Sequence, residues 1–483
     1  MKRISILLLV FCTCCALAAW PQAPAQRWMD DPGKLGSYAI GHTSYMLTDT
    51  SNGNRPVYIS VWYPADNASI SSSIPAQYPF DPYSTSLPVS TSTDWQAVGN
   101  YDSASEGPTA SHDGPFPLLV VSPGFSGDAW MYNFIGTRLA SHGYVVAALE
   151  PYADCQWPWS PCDDFVTVMV NRPRDVSFAI TQLLIKSKVR GELLFHTIDP
   201  NRVAASGHSI GGYTTFALAS GDRLVCDALW PALSGSDSLP YPPDTCVRTS
   251  PDRRIKAMIS LDGSSQLVRY SELSKIEMPS LIMGETIDQS EQIAAAENTP
   301  QLKSWIARPH AAINRLDSYR VDVNGANHFS FTDFCDGFQV LVNLGHPEWD
   351  WSGSWPCIAT GWDAVTISST DEHVVVTKYM IAFLDMYFRN PNANLLLDYW
   401  ILTPEYALTH TPTVQFFNSE KCEASLPDNT YFTYRTYQTS SECDVDQKDP
   451  TGWFTSQTTS SDPDPLLRSP VVGSYGLRPR KPF

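Results

Sequence analysis

An α/β fold, with helices on both faces of a mostly parallel, doubly wound sheet, is what this sequence of 483 residues predicts. Three observations point to it. Short unbroken apolar runs such as Leu118-Leu119-Val120-Val121 read as strands buried on both faces. These runs alternate with stretches whose apolar residues recur at helical spacing. One run leads into Gly207-His208-Ser209-Ile210-Gly211, a Gly-x-Ser-x-Gly pattern that takes its meaning from a strand, a sharp turn and a helix. In such a sheet the functional site is expected at the carboxyl ends of the strands.

Taken in chain order, residues 1–18 read as a secretory signal. Lys2 and Arg3 supply the positive start, residues 4–17 a short apolar run, and Ala16-Leu17-Ala18 a small-residue cleavage site. The run is too short for a comfortable membrane span, and no later stretch is longer. Cys12, Cys14 and Cys15 lie within it without a lipobox, so no lipid anchor is expected. Residues 19–394 are expected to form the main domain. Residues 38–64 alternate around Asn52-Gly53-Asn54 and predict an antiparallel hairpin. Residues 65–115, rich in Ser, Pro, Tyr and Asp, read as a long surface insertion. Strands are expected at 118–121, 144–149, 257–261, 280–283 and 319–323, besides the one ending at His208. Helices are expected at 130–142, 175–186, 212–220 and 371–389. Gly143 marks the stop of the first of these. A second insertion is read at about 226–250. Residues 395–483 show little regular pattern and are expected to pack on the main domain as an extension.

The formal net charge of −18 disfavours nucleic acid and anionic membranes as partners. Beyond the signal there are eight cysteines in four locally spaced pairs, which predict disulfides Cys155–Cys162, Cys226–Cys246, Cys335–Cys357 and Cys422–Cys443. Together with the signal they imply a secreted or periplasmic protein. None of these eight forms a Cys-x-x-Cys, so no zinc site built from cysteines is expected, and no cofactor is predicted. Asn67-Ala68-Ser69 could accept a glycan in a eukaryotic host.

Ser209 is the candidate nucleophile. A serine hydroxyl needs a base to take its proton and a third group to hold that base. His328, in Asn324-Gly325-Ala326-Asn327-His328, stands out among the later histidines because a strand and a small-residue loop precede it. Two acids compete for the third role. Asp262 ends the strand 257–261, and Asp288 follows the next strand. Local pattern leaves them nearly equal. Two backbone N–H groups must stabilise a developing oxyanion. Ile210 supplies one, and Phe125, in Pro123-Gly124-Phe125-Ser126-Gly127, the other.

The stretches Pro117–Gly127, Leu139–Glu150, Gly207–Gly212, Ile259–Gly263 and Gly325–Phe334 resemble, in this order, the plasma and intracellular type II platelet-activating-factor acetylhydrolases. The resemblance implies an α/β-hydrolase fold and a calcium-independent serine esterase that removes short or oxidised acyl chains from phospholipids. In that family the acid follows the earlier strand, which favours Asp262. The chain departs from the family in its Ser122-Pro123-Gly124 loop, in the Cys226–Cys246 segment and in the tail. Residues 284–288 are also similar to secreted cutinase-like polyester hydrolases, which favours Asp288. The expected function is a secreted carboxylic ester hydrolase using Ser209, His328 and Asp262, acting on a small-molecule or lipid ester. The alternatives are a polyester hydrolase, a serine peptidase, or a non-catalytic binding protein of the same fold. The sequence sets no oligomeric state.

Overall fold

The computed structural model describes, apart from a few single positions, residues 32–76, 104–154, 162–221, 251–285, 306–347, 367–389 and 414–417, together with Tyr78, Tyr83, Asp350, Cys357, Ile401 and Leu402. The chain enters through the expected hairpin. Strands β1 (Ala39–Asp49) and β2 (Arg55–Ala65) pair antiparallel from Ala39 opposite Ala65 to Asp49 opposite Arg55. Asp49 accepts a hydrogen bond from the Ser51 N–H, and Gly53 takes the left-handed conformation that closes the turn.

The remaining strands are β3 (Ile74–Pro75), β4 (Ser105–Glu106), β5 (Phe116–Ser122), β6 (Val145–Glu150), β7 (Ile198–His208), β8 (Ile255–Leu261), β9 (Ser280–Glu285), β10 (Ser318–Val323) and β11 (Val414–Phe417). Among the described residues they form one sheet in the order β11-β10-β9-β8-β7-β5-β6-β2-β1-β4-β3. From β6 to β10 every neighbouring pair is parallel. Antiparallel pairs flank this central run on both sides, β6 with β2 and β10 with β11. This is the expected α/β-hydrolase fold.

The unbroken apolar runs have a direct reason. Side chains alternate across a strand, and helices cover both faces here. Leu118 and Val120 pack with Val57, Val176 and Ile180, whereas Leu119 and Val121 pack with Ile135, Leu139, Tyr379 and Phe383. The covering helices are α1 (Asn133–Ser141), α2 (Phe165–Lys186), α3 (Ile210–Ser220), α4 (Phe334–Asn343) and α5 (Ser369–Phe388).

Among the departures from the sequence-based expectation, three bear on the packing of the sheet. Helix α2 begins ten residues before Asp175 and carries Pro173 inside it. Proline removes a helical hydrogen bond, at about 3 kcal/mol, so the pattern alone suggested a start after it. Burial of Val168 and Met169 against Tyr213 and Phe216 of α3 favours the earlier turns. Helix α4 was not anticipated. Strand β11 lies in the stretch read as lacking regular pattern, and four residues are too few for a period to register.

The Cys335–Cys357 disulfide is present as expected. Cys162 is also disulfide-bonded. Cys155, Cys226, Cys246, Cys422 and Cys443 lie outside the described residues, as do residues 1–31, the insertion at 226–250, and the tail after 395 except Ile401, Leu402 and β11. No described helix is long and apolar enough to cross a membrane.

The register places the site. Ser122 of β5 lies opposite Gly207 of β7, His208 of β7 opposite Leu261 of β8, and Val323 of β10 opposite Glu285 of β9. The carboxyl ends of these strands therefore share one edge of the sheet. The chain leaves β5 for β6 on one side and returns to β7 on the other. Such a reversal opens a crevice between the loops after β5 and β7.

Candidate active site

Ser209 stands between β7 and α3 with φ 54° and ψ −120°. A non-glycine residue at positive φ is strained and persists only where its surroundings enforce it. Two glycines make the turn sterically possible. A Cβ on Gly207 would lie 1.9 Å from the Gly211 carbonyl oxygen, and one on Gly211 would lie 1.9 Å from the Ser122 carbonyl oxygen. The serine backbone is fixed to the neighbouring strand: its N–H donates to the Leu261 carbonyl at 3.1 Å, and its own carbonyl accepts from the Ser264 N–H at 2.8 Å. The side chain thus stands clear of the sheet at the N-terminus of α3, where the helix directs its N–H groups and positive dipole end.

Asp262 follows β8, also at positive φ, with its N–H donating to the Met283 carbonyl at 2.7 Å. His328 opens a short 3-10 turn after β10. Asn327 caps that turn, accepting hydrogen bonds from the Phe329 and Ser330 N–H groups. Strands β8 and β10 are separated by β9, yet the turn returns far enough for His328 Nδ1 to hydrogen-bond the Asp262 carboxylate. Asp262 is buried, while His328 is partly open to solvent. The structure therefore pairs His328 with one of the two candidate acids. Asp288, the other, lies outside the described residues.

Phe125 lies in the loop after β5, and Ile210 directly follows Ser209. Ile210 is the first residue of α3. The loop holding Phe125 passes directly over the serine, since a Cβ on Gly124 would lie 3.3 Å from Ser209 Cβ.

His208 is a member of this site whose role the motif alone does not disclose. It is buried, and its ring lies 4.5 Å from that of His328, centroid to centroid. Burial, together with the adjacent His328, holds its pKa well below the usual histidine range, so the ring is neutral. Its Nε2–H donates to the His328 carbonyl at 2.8 Å, which leaves Nδ1 to accept from the Tyr132 hydroxyl at 3.0 Å. Tyr132 in turn accepts from the Gly124 N–H at 2.9 Å. One chain of hydrogen bonds thus connects the Phe125 loop, the serine turn and the histidine turn. Spacing along the sequence carries no signal of this link, because Tyr132 lies 76 residues from His208. Among the described residues no group of three or more His, Cys, Asp or Glu side chains could hold a metal ion.

The comparisons with known proteins agree with this picture at the level of relationship. Residues 26–155 match the family described as platelet-activating factor acetylhydrolase, isoform II. The platelet-activating factor acetylhydrolase of Canis lupus familiaris is 26% identical over 241 residues, 40% of this chain and 53% of that protein. A bis(hydroxyethyl) terephthalate hydrolase of Streptomyces coelicolor is 33% identical over 112 residues, 23% of this chain and 31% of that protein. A cutinase of Thermobifida alba is 34% identical over 107 residues, 22% of this chain and 31% of that protein. These matches span between about a third and about half of the relatives' length. A solved ferulic acid esterase from Streptomyces cinnamoneus aligns with a TM-score of 0.49 and 23% identity, covering 82% of this chain and 98% of that one. The chain is thus similar to platelet-activating factor acetylhydrolases and to cutinase-like hydrolases.

Proposed function

We propose that this relative of platelet-activating factor acetylhydrolases and cutinases is a carboxylic ester hydrolase that works through an acyl-enzyme. The observation that carries the reading is the His328–Asp262 hydrogen bond, formed at the sheet edge where the strained turn presents Ser209. In this reading Ser209 Oγ attacks the ester carbonyl carbon and passes its proton to His328 Nε2. The Asp262 carboxylate holds the imidazole by Nδ1 and stabilises the imidazolium that forms. The backbone N–H groups of Ile210 and Phe125 stabilise the tetrahedral oxyanion. His328 then returns the proton to the departing alkoxide, and the alcohol leaves. Water, deprotonated by His328, attacks the acyl-serine. The tetrahedral intermediate then breaks its bond to Ser209 Oγ, which takes the proton back from His328, and the acid leaves.

The substrate we favour is a short-acyl ester, with an acetyl or oxidised-acyl phospholipid as the class suggested by the family match. A cutinase-like polyester hydrolase is the second reading, supported by the two bacterial relatives. The signal-like start and the disulfides support a secreted or periplasmic protein.

Labelling with an organophosphonate tests the enzyme class. The folded protein is expected to take one label at Ser209, and failure to label would sink the enzyme reading in favour of a binding protein. Rates on an acetyl-phospholipid, p-nitrophenyl butyrate, a polyester film and a peptide then separate the substrates. The expected order places the short-acyl esters first, and a faster rate on the film would install the second reading.

A further inference from the structure

The loop after β5 is held from beneath by a residue far away in sequence. Arg172, 2% exposed on α2, donates from Nη2 to the Gly124 carbonyl at 2.7 Å and from Nη1 to the Pro123 carbonyl. Its guanidinium pairs with the Asp154 carboxylate, itself 1% exposed. Asp154 extends the same clamp. Its Oδ2 accepts from the Ser126 N–H at 3.1 Å, and its carbonyl accepts from the Ser126 hydroxyl at 3.0 Å. These bonds hold Ser126 at φ 57°, a conformation a serine rarely adopts. The Gly124 carbonyl also accepts from the Gly127 N–H at 3.1 Å, closing the turn.

The consequence follows from peptide geometry. The Gly124–Phe125 bond is trans, since the one cis bond among the described residues is Gly114–Pro115. In a planar trans peptide the C=O and N–H point in opposite directions. Drawing the Gly124 carbonyl down to Arg172 therefore turns the Phe125 N–H the other way. We propose that Arg172, held by Asp154, is a positioning residue that sets the direction of the Phe125 N–H as oxyanion donor. The proposal rests on the hydrolase reading above. Arginine suits the task because its planar fork engages two successive carbonyls and a carboxylate at once, which a lysine ammonium cannot do in the same geometry.

Two variants, Arg172→Lys and Arg172→Met, test it on the full chain, with folding checked by circular dichroism and the thermal transition. Loss of one oxyanion donor lowers kcat by about 10²–10³-fold. Arg172→Lys is expected to lower kcat on p-nitrophenyl butyrate by about 10²-fold with KM changed less than about threefold. A trifluoromethyl ketone, which forms an anionic hemiketal on the serine, should lose affinity by a similar factor. The matching unreactive amide should bind as before. A kcat within about threefold of wild type in folded Arg172→Lys would overturn the proposal, and so would equal losses for ketone and amide. If Arg172→Met does not fold, Arg172→Lys and Asp154→Asn carry the same readouts. Wild-type protein that neither hydrolyses esters nor labels at Ser209 removes the hydrolase reading, and this proposal with it.

Discussion

At the scale of single residues, the site combines strain with close approach. Ser209 and Asp262 both sit at positive φ, and both are held there by backbone hydrogen bonds to the adjacent strands. In the proposed roles, Asp262→Asn should lower kcat by about 10⁴-fold with the fold intact. Asp288→Asn should leave the rate within about threefold. Steady-state kinetics on a soluble ester distinguishes the two, and the opposite result would transfer the acid's role to Asp288. The turn has its own sensitivity. Gly211→Ala would force a methyl group against the Ser122 carbonyl, a backbone contact that cannot rotate away. A loss of at least about 2 kcal/mol in urea denaturation is expected.

At the scale of elements, one buried contact binds a helix to the sheet and another binds two helices together. Arg55 of β2 donates from Nε to both carboxylate oxygens of Asp175 on α2 at 3.0 Å, and from Nη2 to the Tyr152 carbonyl at 2.7 Å. Removing one member of a buried pair strands the other charge, so Arg55→Met should cost about 3–5 kcal/mol by denaturant titration. On the opposite face, His373 of α5 stacks on Phe134 of α1, with ring centroids 3.9 Å apart. Burial lowers its pKa to about 4 from 6.5. Between those values the unfolded chain binds a proton that the folded chain refuses, so stability falls as pH falls. The effect reaches about 3 kcal/mol at pH 4. His373→Phe keeps the stack and removes the titration. Its stability relative to wild type should therefore rise by about that amount from pH 7 to pH 4, and a flat difference would refute the assignment.

At the scale of the whole molecule, one sheet with two covered faces carries the site on a shared edge, and a disulfide ties α4 to the segment before α5. That bond closes a sequence separation of 22 residues. Chain-entropy arguments give about 3 kcal/mol for such a loop. Replacing both Cys335 and Cys357 by serine should lower stability by roughly that amount, measured against wild type kept oxidised.

Much of this was legible in the chain because the information is local. The alternation from residue 38 to 64, the unbroken runs 118–121 and 257–261, and the Gly-x-Ser-x-Gly turn each depend on neighbours within a few residues. Backbone periodicity and the two glycines that must lack a Cβ therefore declare the sheet and the serine turn without any tertiary knowledge. The pairing of His328 with Asp262 rather than an unspecified acid is a long-range matter, since β9 intervenes and 66 residues separate the two. The same holds for the extension of α2 through Pro173, where packing against α3 outweighs local propensity. It holds also for the Arg172–Asp154 clamp and the Tyr132–His208 link, which arise where loops from different strands converge. Sequence determined the hairpin, the central parallel strands and the serine turn, and it anticipated one disulfide. Only the folded sheet, by bringing remote loops to one edge, decided which charged and aromatic groups hold that turn in place.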